Sequence, residues 1–318
     1  MDRAKAMVAL AVFVLCSGGV QAQRHKVGPT ERIRYDNDTM LCPRGEWRLV
    51  FEDDFDGECV DTGRWQLRPW GYGSYGNVQE YNTMDNVEVR DGMLRIEVRR
   101  EDRTARAVFW QDDTVRMGDG VANLREYHYT SSSLWTREKF GYGRFEARIR
   151  IPKGRGIFPA FWLFGADPWN EIDIFEFWNN SGRRYDATRS ASLLHATVHY
   201  DYDGDGRTDM VHTQHRGVDY GDDFHVFALE WTGERIAWYV DGELIREYYS
   251  HYRGLGRRPS GCLLERGRRY RRSVIYPRDA MQMILNVAVQ SGEDGPDDGG
   301  ALPVAMEVDW VRVYAATP

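Results

Sequence analysis

The sequence predicts an all-β fold made of two packed antiparallel sheets. From about Trp47 onward, segments of alternating or β-branched residues recur between turn signals, and long stretches with a period of about 3.6 residues are missing. The 318 residues include 11 Trp, 18 Tyr and 32 Gly, a composition that suits strands joined by loops. The spacing of these segments favours two sheets stacked face to face.

The predicted strands follow one another along the chain. In order they are residues 87–99, 144–151, 160–164, 171–177, 193–200, 281–289 and 306–314. The clearest hairpin joins residues 224–231 to residues 235–240 through Thr232-Gly233-Glu234, and Asp241-Gly242 marks the next turn. Residues 252–276 break this pattern because they carry a dense set of arginines, and we expect a long surface loop there.

The N-terminus has the features of a secretory signal. Basic residues precede an apolar run over residues 6–16, and Val20-Gln21-Ala22 offers the small residues that signal peptidase needs. We therefore expect a signal peptide over residues 1–22, a polar N-terminal extension over residues 23–45, and one folded domain over residues 46–318. The expected location is outside the cell or in the periplasm. A short N-terminal helix is the alternative for the first segment.

Charge and hydropathy argue against two classes of protein, and the cysteines limit the possible disulfides and metal sites. A net charge of -7 and a pI of 5.7 argue against a general nucleic-acid binder, and a mean hydropathy of -0.61 argues against a membrane protein. Cys42, Cys59 and Cys262 remain after the signal; a pair of Cys42 with Cys59 would close a short loop, and the odd count leaves one thiol unpaired. The zinc motifs Cys-x-x-Cys and His-Glu-x-x-His are missing from the sequence.

The most informative stretch places three acids inside an apolar strand pattern, Trp-Asn-Glu-Ile-Asp-Ile-Phe-Glu at 169–176. Residues two apart share one face of a strand, so Glu171 and Asp173 point the same way. Glu176 would lie on the opposite face of a regular strand, but one β-bulge near Ile174-Phe175 returns it to the face of the other two. Crowding three carboxylates costs repulsion and desolvation, which protonation of at least one relieves.

This arrangement suits glycoside hydrolysis with retention of configuration. That reaction needs two carboxyl groups roughly 5 Å apart, one ionised as nucleophile and one protonated as general acid. The neighbouring Trp162, Trp169 and Trp178 favour a sugar site because sugars stack their C–H faces on aromatic rings. The alternative is a half-solvated strand with acidic outward residues, and tryptophans that only pack in the core.

The acidic stretch resembles the bulged E-x-D-x-x-E signature of glycoside hydrolase family 16, the laminarinase-like β-glucanases. Further blocks are similar to that family, in the family's order. They are Leu-Val-Phe-Glu-Asp-Asp-Phe-Asp-Gly at 49–57, Tyr-Thr-Ser at 129–131, Gly-Tyr-Gly-Arg-Phe-Glu-Ala-Arg at 141–148, Pro-Ala-Phe-Trp-Leu at 159–163, Glu-Trp at 230–231, Val-Asp-Gly at 240–242, Leu-Asn-Val-Ala-Val at 285–289 and Val-Asp-Trp-Val-Arg-Val-Tyr at 308–314.

The resemblance implies a β-jelly-roll sandwich whose concave sheet forms an open cleft for a polysaccharide chain. It implies that Glu171 is the nucleophile, that Glu176 is the general acid/base, and that Asp173 tunes the charge and position of both. The residues implied to bind substrate along the cleft are Trp162, Trp169, His199, Asn77, Glu80 and Tyr81. For His199 the alternative is a structural histidine of the sheet.

Departures from the family pattern bear on the substrate. Phe158 stands where the family often has Trp, and Gln290-Ser291-Gly292 stands where it has Gly-Gly, so Phe158 and Gln290 join the candidate binding residues. Ser132-Ser133 replaces a common Gly-Arg. The arginines of residues 253–272 suit sulfate or carboxylate groups on a charged polysaccharide, with a solvated surface loop as the alternative.

A structural calcium site is implied only by the resemblance to the family. Many family members hold one structural ion on the convex face, and the matching positions are the Asp309 side chain and the backbone carbonyls of Asp54 and Gly92. Separately, residues 201–209 begin like a calcium loop but lack its final Glu, since His212 stands there, so an acidic turn without metal is favoured. Catalysis is expected to need no cofactor.

Together these observations predict a secreted, monomeric, endo-acting retaining glycosidase that cuts β-1,3 or mixed β-1,3/1,4-glucan. The alternatives are a hydrolase of a sulfated galactan of the agar, porphyran or carrageenan type, and a non-catalytic glucan-binding protein. Transglycosylation depends on whether an acceptor sugar outcompetes water.

Overall fold

A computed structural model describes residues 29–43, 45–68, 78–106, 124–166, 169–178, 187–204, 208–254, 258–296 and 302–316. The predicted signal peptide and the predicted cleft residue Asn77 lie outside these ranges. Within them, the α-helix has six residues, and no helix is long and apolar enough to cross a membrane.

The first half of the chain forms β1 (Thr30–Arg34), β2 (Thr39–Met40), β3 (Trp47–Asp53), β4 (Trp65–Leu67), β5 (Glu80–Asn82), β6 (Val87–Arg90), β7 (Met93–Arg106), β8 (Leu124–Ser131), β9 (Ser133–Thr136), β10 (Gly143–Arg150), β11 (Ile157–Ala166) and β12 (Trp169–Glu176). The second half forms α1 (Ala187–Ser192), β13 (Leu193–Tyr200), β14 (Asp209–Arg216), β15 (His225–Trp231), β16 (Arg235–Val240), β17 (Glu243–Tyr249), β18 (His251–Arg253), β19 (Arg258–Pro259), β20 (Leu263–Leu264), β21 (Arg269–Ser273), β22 (Gln282–Val289) and β23 (Val304–Ala316). Short 3₁₀ turns lie at Met84–Asn86 and Gly292–Asp294.

Two large sheets form a β-jelly-roll sandwich, as predicted. The outer sheet has the order β17-β16-β15-β10-β23-β7-β8-β5, with β3 paired to β23 and β6 to β7. The inner sheet has the order β14-β13-β12-β11-β22-β9-β4, so the acidic strand β12 lies near its middle. The neighbours in both sheets are antiparallel apart from β5 and β8, which run parallel.

Side-chain alternation explains how the sheets stack. On β10, Phe145, Ala147 and Ile149 are fully buried and join the core between the sheets, while the residues between them are half-buried and face outward. Arg144 and Arg148 on the outward face pair with acidic side chains of neighbouring strands. Burial of one face in a strand of period two therefore fixes the register of the sandwich.

The hairpin prediction is confirmed, and the strand predicted over residues 87–99 is wrong as a single element. Strands β15 and β16 pair from Trp231 and Ile236 onward, close to the predicted bounds. In contrast, Asp91 and Gly92, with φ angles of 57° and 69°, make a two-residue turn between β6 and β7. An Asp-Gly pair between apolar alternations is itself a hairpin signal.

The arginine-rich segment is not a long loop, which corrects the prediction. Its strands β18, β19 and β21 form a small sheet with β1 of the N-terminal extension, and β2 pairs with β20. Tyr252 and Tyr270 lie on opposite faces of this sheet, and both are buried. Segments more than 200 residues apart in the sequence meet here, a contact that local patterns do not reveal.

A disulfide closes the same region. It joins Cys42 to Cys262 with a Cα–Cα distance of 5.1 Å, while Cys59 is a free, exposed thiol. The considered pair of Cys42 with Cys59 is therefore wrong. Pairing of β2 with β20 brings Cys42 beside Cys262, and the backbone N–H of Leu41 donates to the carbonyl of Cys262 at 2.8 Å.

Candidate active site

Strand β12 contains the predicted β-bulge. Against β11, Trp162 lies opposite Asp173 and Phe161 lies opposite Phe175, which leaves Ile174 as the extra residue. Against β13, the register shifts between Asp173 and Glu176. Ile174 and Phe175 are both buried in the core, so the side chain of Glu176 emerges on the concave face beside Glu171 and Asp173.

The outer sheet supports this bulge through the core. The indole N–H of Trp238, on β16, donates a 2.8 Å hydrogen bond to the backbone carbonyl of Asp173. A bulge interrupts the regular ladder, and a buried carbonyl without a partner is costly. Trp238 satisfies that carbonyl and fixes the backbone between the acidic residues. The sequence gives no signal for this contact.

The concave face of the inner sheet carries a cavity of about 440 Å³. The predicted site residues that line it are Glu171, Asp173, Glu176, Glu80, Phe158, Trp162, His199 and Gln290. Two of them are held firmly by hydrogen bonds. Glu80 is fully buried and accepts from the backbone N–H of Val289 at 2.8 Å, and Trp162 Nε1 donates to Asn286 Oδ1 at 2.8 Å.

Two predicted binding residues lie elsewhere. Trp169 packs against Phe164 with ring centroids 6.0 Å apart, and its Nε1 donates to Glu171 Oε2 at 3.1 Å. Tyr81 packs its ring on Tyr127, 5.1 Å between centroids. Neither ring lines the cavity. Trp169 therefore orients a catalytic candidate instead of forming the cleft floor.

The cavity also includes residues that were not predicted as site residues. On the far side of β12, Met210 and His212 continue the lining, and His212 Nδ1 lies 3.1 Å from Thr197 Oγ1. Trp178, one of the three tryptophans that favoured a sugar site, lies beside them, and Asn286 lines the opposite side. The positions of Met210 and His212 on β14 and of Asn286 on β22 follow from the strand order, which the chain sequence does not provide.

Burial sets the protonation of the two glutamates. Removal from water, followed by the negative charge of Asp173, raises the pKa of Glu171 to about 7. The same two causes, with the charge of Glu171 added, raise the pKa of Glu176 well above its ordinary value. Burial and crowding therefore favour the protonated form of both carboxyl groups, which is the form that a general acid needs.

His199 supplies the positive charge of the cluster. Its Nε2 lies 3.5 Å from Asp173 Oδ2 and 4.0 Å from Glu171 Oε1. Burial alone would lower the pKa of His199, but its contact with Asp173 and the negative charges of Glu171 and Asp173 outweigh burial and raise the pKa to about 9. The protonated ring favours the ionised form of Glu171.

One group of described side chains in the cleft has ligand atoms close enough together to hold a metal ion. The ligand atoms of Glu171, Asp173 and His199 lie within 4.8 Å of one another, a spacing that a cation accepts. The raised pKa of His199 favours the protonated imidazole, which is not a metal ligand. We therefore assign no metal to this group.

The predicted calcium position has a different occupant. Asp309 Oδ2 accepts a 2.6 Å hydrogen bond from Arg148, and Asp54 Oδ1 accepts one from Arg312 at 3.1 Å. An ion bound to the Asp309 side chain would have to displace Arg148. The side chains present do not favour the ion, and structural calcium stays a prediction.

A jelly-roll sandwich with an open concave face, and two buried glutamates with raised pKa values on one bulged strand, define a class of protein. They are the parts needed to cut a glycosidic bond: one carboxyl group that can donate a proton and one carboxylate that can attack or activate water. The fold and the site thus define a glycoside hydrolase.

Comparisons with known proteins identify the family. The model of the family "Glycosyl hydrolases family 16" matches residues 102–259. A β-glucanase of Rhodothermus marinus is 33% identical over 294 residues, which cover 84% of this chain and 85% of that protein. The chain belongs to glycosyl hydrolase family 16.

Two further similar proteins carry names that refer to different polysaccharides. The X-ray structure of an endo-β-1,3-glucanase from Pyrococcus furiosus is 29% identical, with a TM-score of 0.61 over 87% of this chain and 98% of that one. A kappa-carrageenase of Pseudoalteromonas carrageenovora is 27% identical over 86% of this chain and 66% of that protein. The relatives of this chain are thus named for the cleavage of glucan and of carrageenan.

Proposed function

We propose that this protein is a retaining endo-β-glucanase that hydrolyses internal β-1,3 or mixed β-1,3/1,4 linkages by double displacement. The observation that carries the proposal is the bulge at Ile174, which brings Glu171 and Glu176 to one face of the inner sheet beside Asp173. Retention requires a nucleophilic carboxylate and a protonated carboxylic acid at close range. Glu171 and Glu176, two residues of one strand, would supply these two groups.

In this proposal Glu171 attacks the anomeric carbon while Glu176 gives its proton to the leaving oxygen. Trp169 holds one oxygen of Glu171 by its 3.1 Å hydrogen bond, and His199 favours the carboxylate form of Glu171 by its charge. Glu176 then removes a proton from the water that resolves the glycosyl–enzyme bond. Asp173 keeps the pKa of Glu176 high.

The substrate assignment rests on the cleft and on the relatives. The cavity is open, continues on both sides of β12, and presents the Trp162 ring for stacking, features that suit an internal stretch of a polysaccharide chain. The β-glucanase of Rhodothermus marinus and the endo-β-1,3-glucanase of Pyrococcus furiosus point to glucan.

Export of the protein is part of the proposal. Disulfides persist in oxidising compartments and are rare in the cytosol. The Cys42–Cys262 bridge therefore supports the secretory signal predicted over residues 1–22. Edman sequencing of the protein recovered from the culture medium or periplasm should begin at Gln23.

The decisive experiment measures reducing ends and viscosity on laminarin, lichenan, agar, porphyran and carrageenan, together with the ¹H NMR signal of the first anomer released. We expect a rapid fall in the viscosity of a glucan and initial release of the β-anomer. Initial release of the α-anomer would rule out double displacement, and slow viscosity loss with monosaccharide release would rule out endo-action.

A hydrolase of a sulfated galactan is the second candidate. Phe158 replaces an indole in the cleft by a smaller ring, and the carrageenase relative acts on a sulfated polymer by its name. Cleavage of agar, porphyran or carrageenan without cleavage of laminarin or lichenan would replace the first assignment with this one.

A further inference from the structure

Four arginines share one face of the small sheet formed by the N-terminal extension and the arginine-rich segment. In the antiparallel pair of β1 and β21, Arg32 lies directly opposite Arg271 and Arg34 lies directly opposite Arg269. Residues opposite each other and residues two apart lie on the same face, about 5 Å apart across the strands and about 7 Å apart along them. We name Arg32, Arg34, Arg269 and Arg271 the arginine quartet.

The quartet is open to solvent and lacks acidic partners. Arg32, Arg34 and Arg269 are exposed, and among the described residues no carboxylate lies within ion-pair distance of these three. Arg271 is half-buried and donates to Thr30 Oγ1 at 2.8 Å. The quartet thus keeps its positive charge on the surface.

Two acids that neighbour the quartet in the sequence pair with other arginines. Glu31 pairs with Arg272, which lies on the opposite face of β21, and Glu265 pairs with Arg268 at 2.6 Å. Residues 253–272 contain eight Arg and one Glu, in a protein whose net charge is -7. The positive charge is therefore local and runs against the charge of the whole chain.

Such an arrangement costs stability. Like charges directly opposite each other in a sheet repel, and a guanidinium cannot lose its proton to relieve the repulsion. The strands cannot move apart easily, because Tyr270 is buried under β21 and the Cys42–Cys262 disulfide holds the N-terminal segment against it. The sheet therefore keeps four guanidinium groups close together on one face.

We propose that the arginine quartet binds an anionic polysaccharide, one that carries sulfate or carboxylate groups along its chain. Guanidinium groups match the geometry of both anions and bind them in pairs of hydrogen bonds. The array is flat, whereas small ligands occupy concave pockets, so an extended polymer suits it better.

Other polyanions fit the face less well. Exposed aromatic rings that stack on the bases strengthen binding of a single-stranded nucleic acid, and exposed apolar side chains strengthen binding to a membrane surface. The aromatic residue of this face, Tyr252, is buried, and its other described neighbours are Thr30, Ser273 and Pro259. The face offers charge without a platform for bases or lipid.

The quartet lies apart from the cleft, since no residue of β1, β18, β19 or β21 lines the cavity on the inner sheet. Binding would hold the enzyme on a charged matrix and leave the cleft free. This inference does not depend on which polysaccharide the cleft cuts.

The test measures retention of the full secreted protein on immobilised dextran sulfate, on uncharged dextran and on pectin, as a function of NaCl. Arg34→Gln with Arg269→Gln removes one opposed pair, and Arg48→Gln with Arg90→Gln removes two exposed arginines of the main sandwich as a matched control. We expect retention on both charged polymers alone, a loss of affinity of about tenfold in the first double variant, and little change in the control. Hydrolytic activity should stay unchanged in both.

Several results would overturn the proposal. Equal weakening in the control variant would attribute retention to net charge. Equally tight binding to DNA or to phosphatidylserine vesicles would remove the preference for polysaccharide. A fall in melting temperature of the Arg34/Arg269 variant with retention unchanged would make the quartet structural, whereas relief of repulsion predicts a melting temperature at or above that of the wild type.

Discussion

Two groups of like charge are crowded in this molecule, and their surroundings differ. In the cleft, Glu171, Asp173 and Glu176 share one buried face of β12. On the small sheet, the arginine quartet shares one exposed face of β1 and β21. Both contain residues directly opposed or two apart on strands, so the geometry of crowding is similar.

The difference lies in how each group relieves its repulsion. Carboxyl groups can take up a proton, and burial strengthens every charge around them, so the pKa of Glu176 rises well above its ordinary value. Arginine has no such route and depends on water, salt or a bound anion. Crowding in a buried site thus produces acid–base chemistry, whereas crowding on an exposed sheet produces a surface for anions.

The largest effect is expected in the buried group. Glu171→Gln and Glu176→Gln should each lower kcat at least about a thousandfold, because each removes a group that acts on the reacting bond. Steady-state hydrolysis of laminarin measures the loss, and binding of the substrate should persist. Glu88→Gln, a change outside the cleft, is the control. Near-native turnover in a folded Glu171 or Glu176 variant would exclude that residue from the mechanism.

Removal of the disulfide tests whether the small arginine sheet affects turnover in the cleft. Replacing Cys42 and Cys262 by Ser should lower the free energy of unfolding by about 3 to 5 kcal/mol, since the bridge closes a long loop. Urea denaturation measures the change, with Cys59→Ser as the control. At low denaturant, turnover should be retained because the cleft belongs to another sheet. Loss of turnover in parallel with loss of the bridge would show that the regions are coupled.

Asp173→Asn tests whether the charge of Asp173 raises the pKa values of the two glutamates. Asp173 is 2% exposed, and its charge raises the pKa of both Glu171 and Glu176. Without that charge both pKa values fall, so the pH profile of kcat/KM should move toward lower pH, with activity at neutral pH reduced by about tenfold or more. A profile that moved toward higher pH would contradict the assigned coupling.

His199→Asn should have the smallest effect and the opposite sign. The charge of His199 lowers the pKa of Glu171, so its removal raises that pKa and moves the acidic limb of the profile to higher pH. We expect a loss of activity of about tenfold near pH 6. His128→Asn, an exposed site paired with Asp102, is the control and should leave the limb in place.

The same variant has a stability signature. The pKa of His199 is raised in the folded protein to about 9 from 6.5, so its stabilising contribution is full below pH 6.5 and disappears as the pH rises to about 9. Urea unfolding of the wild type should therefore lose stability over this window. His199→Asn should lose less, and an equal loss in both proteins would argue against the charged imidazole.

Much of the site was predictable because it is local. Alternation places Glu171 and Asp173 together, and the five-residue step to Glu176 requires a bulge, which the structure has at Ile174. Trp169 was misplaced, although its position on β12 was correct, because its ring packs on Phe164 instead of facing the cavity. Which neighbour an indole contacts depends on the adjacent strand.

The small sheet was not predictable for a related reason. Arginine-rich residues with few apolar neighbours lack the alternation that marks a strand, and residues 252–276 were therefore expected to form a loop. Strand β21 lies between β18 and β1, and the second of these neighbours comes from more than 230 residues earlier in the chain. The pairing of Cys42 with Cys262 follows from the same approach.

The sequence by itself determined the all-β class, the family, and the acidic strand with its bulge, because these depend on residue order over a few positions. The tertiary structure alone decided which sheet covers the bulge, where Trp238 reaches Asp173, and how the N-terminal extension completes the arginine sheet. Contacts across the core and between distant segments are set by packing and hydrogen-bond partners, which are fixed only when the whole chain has folded.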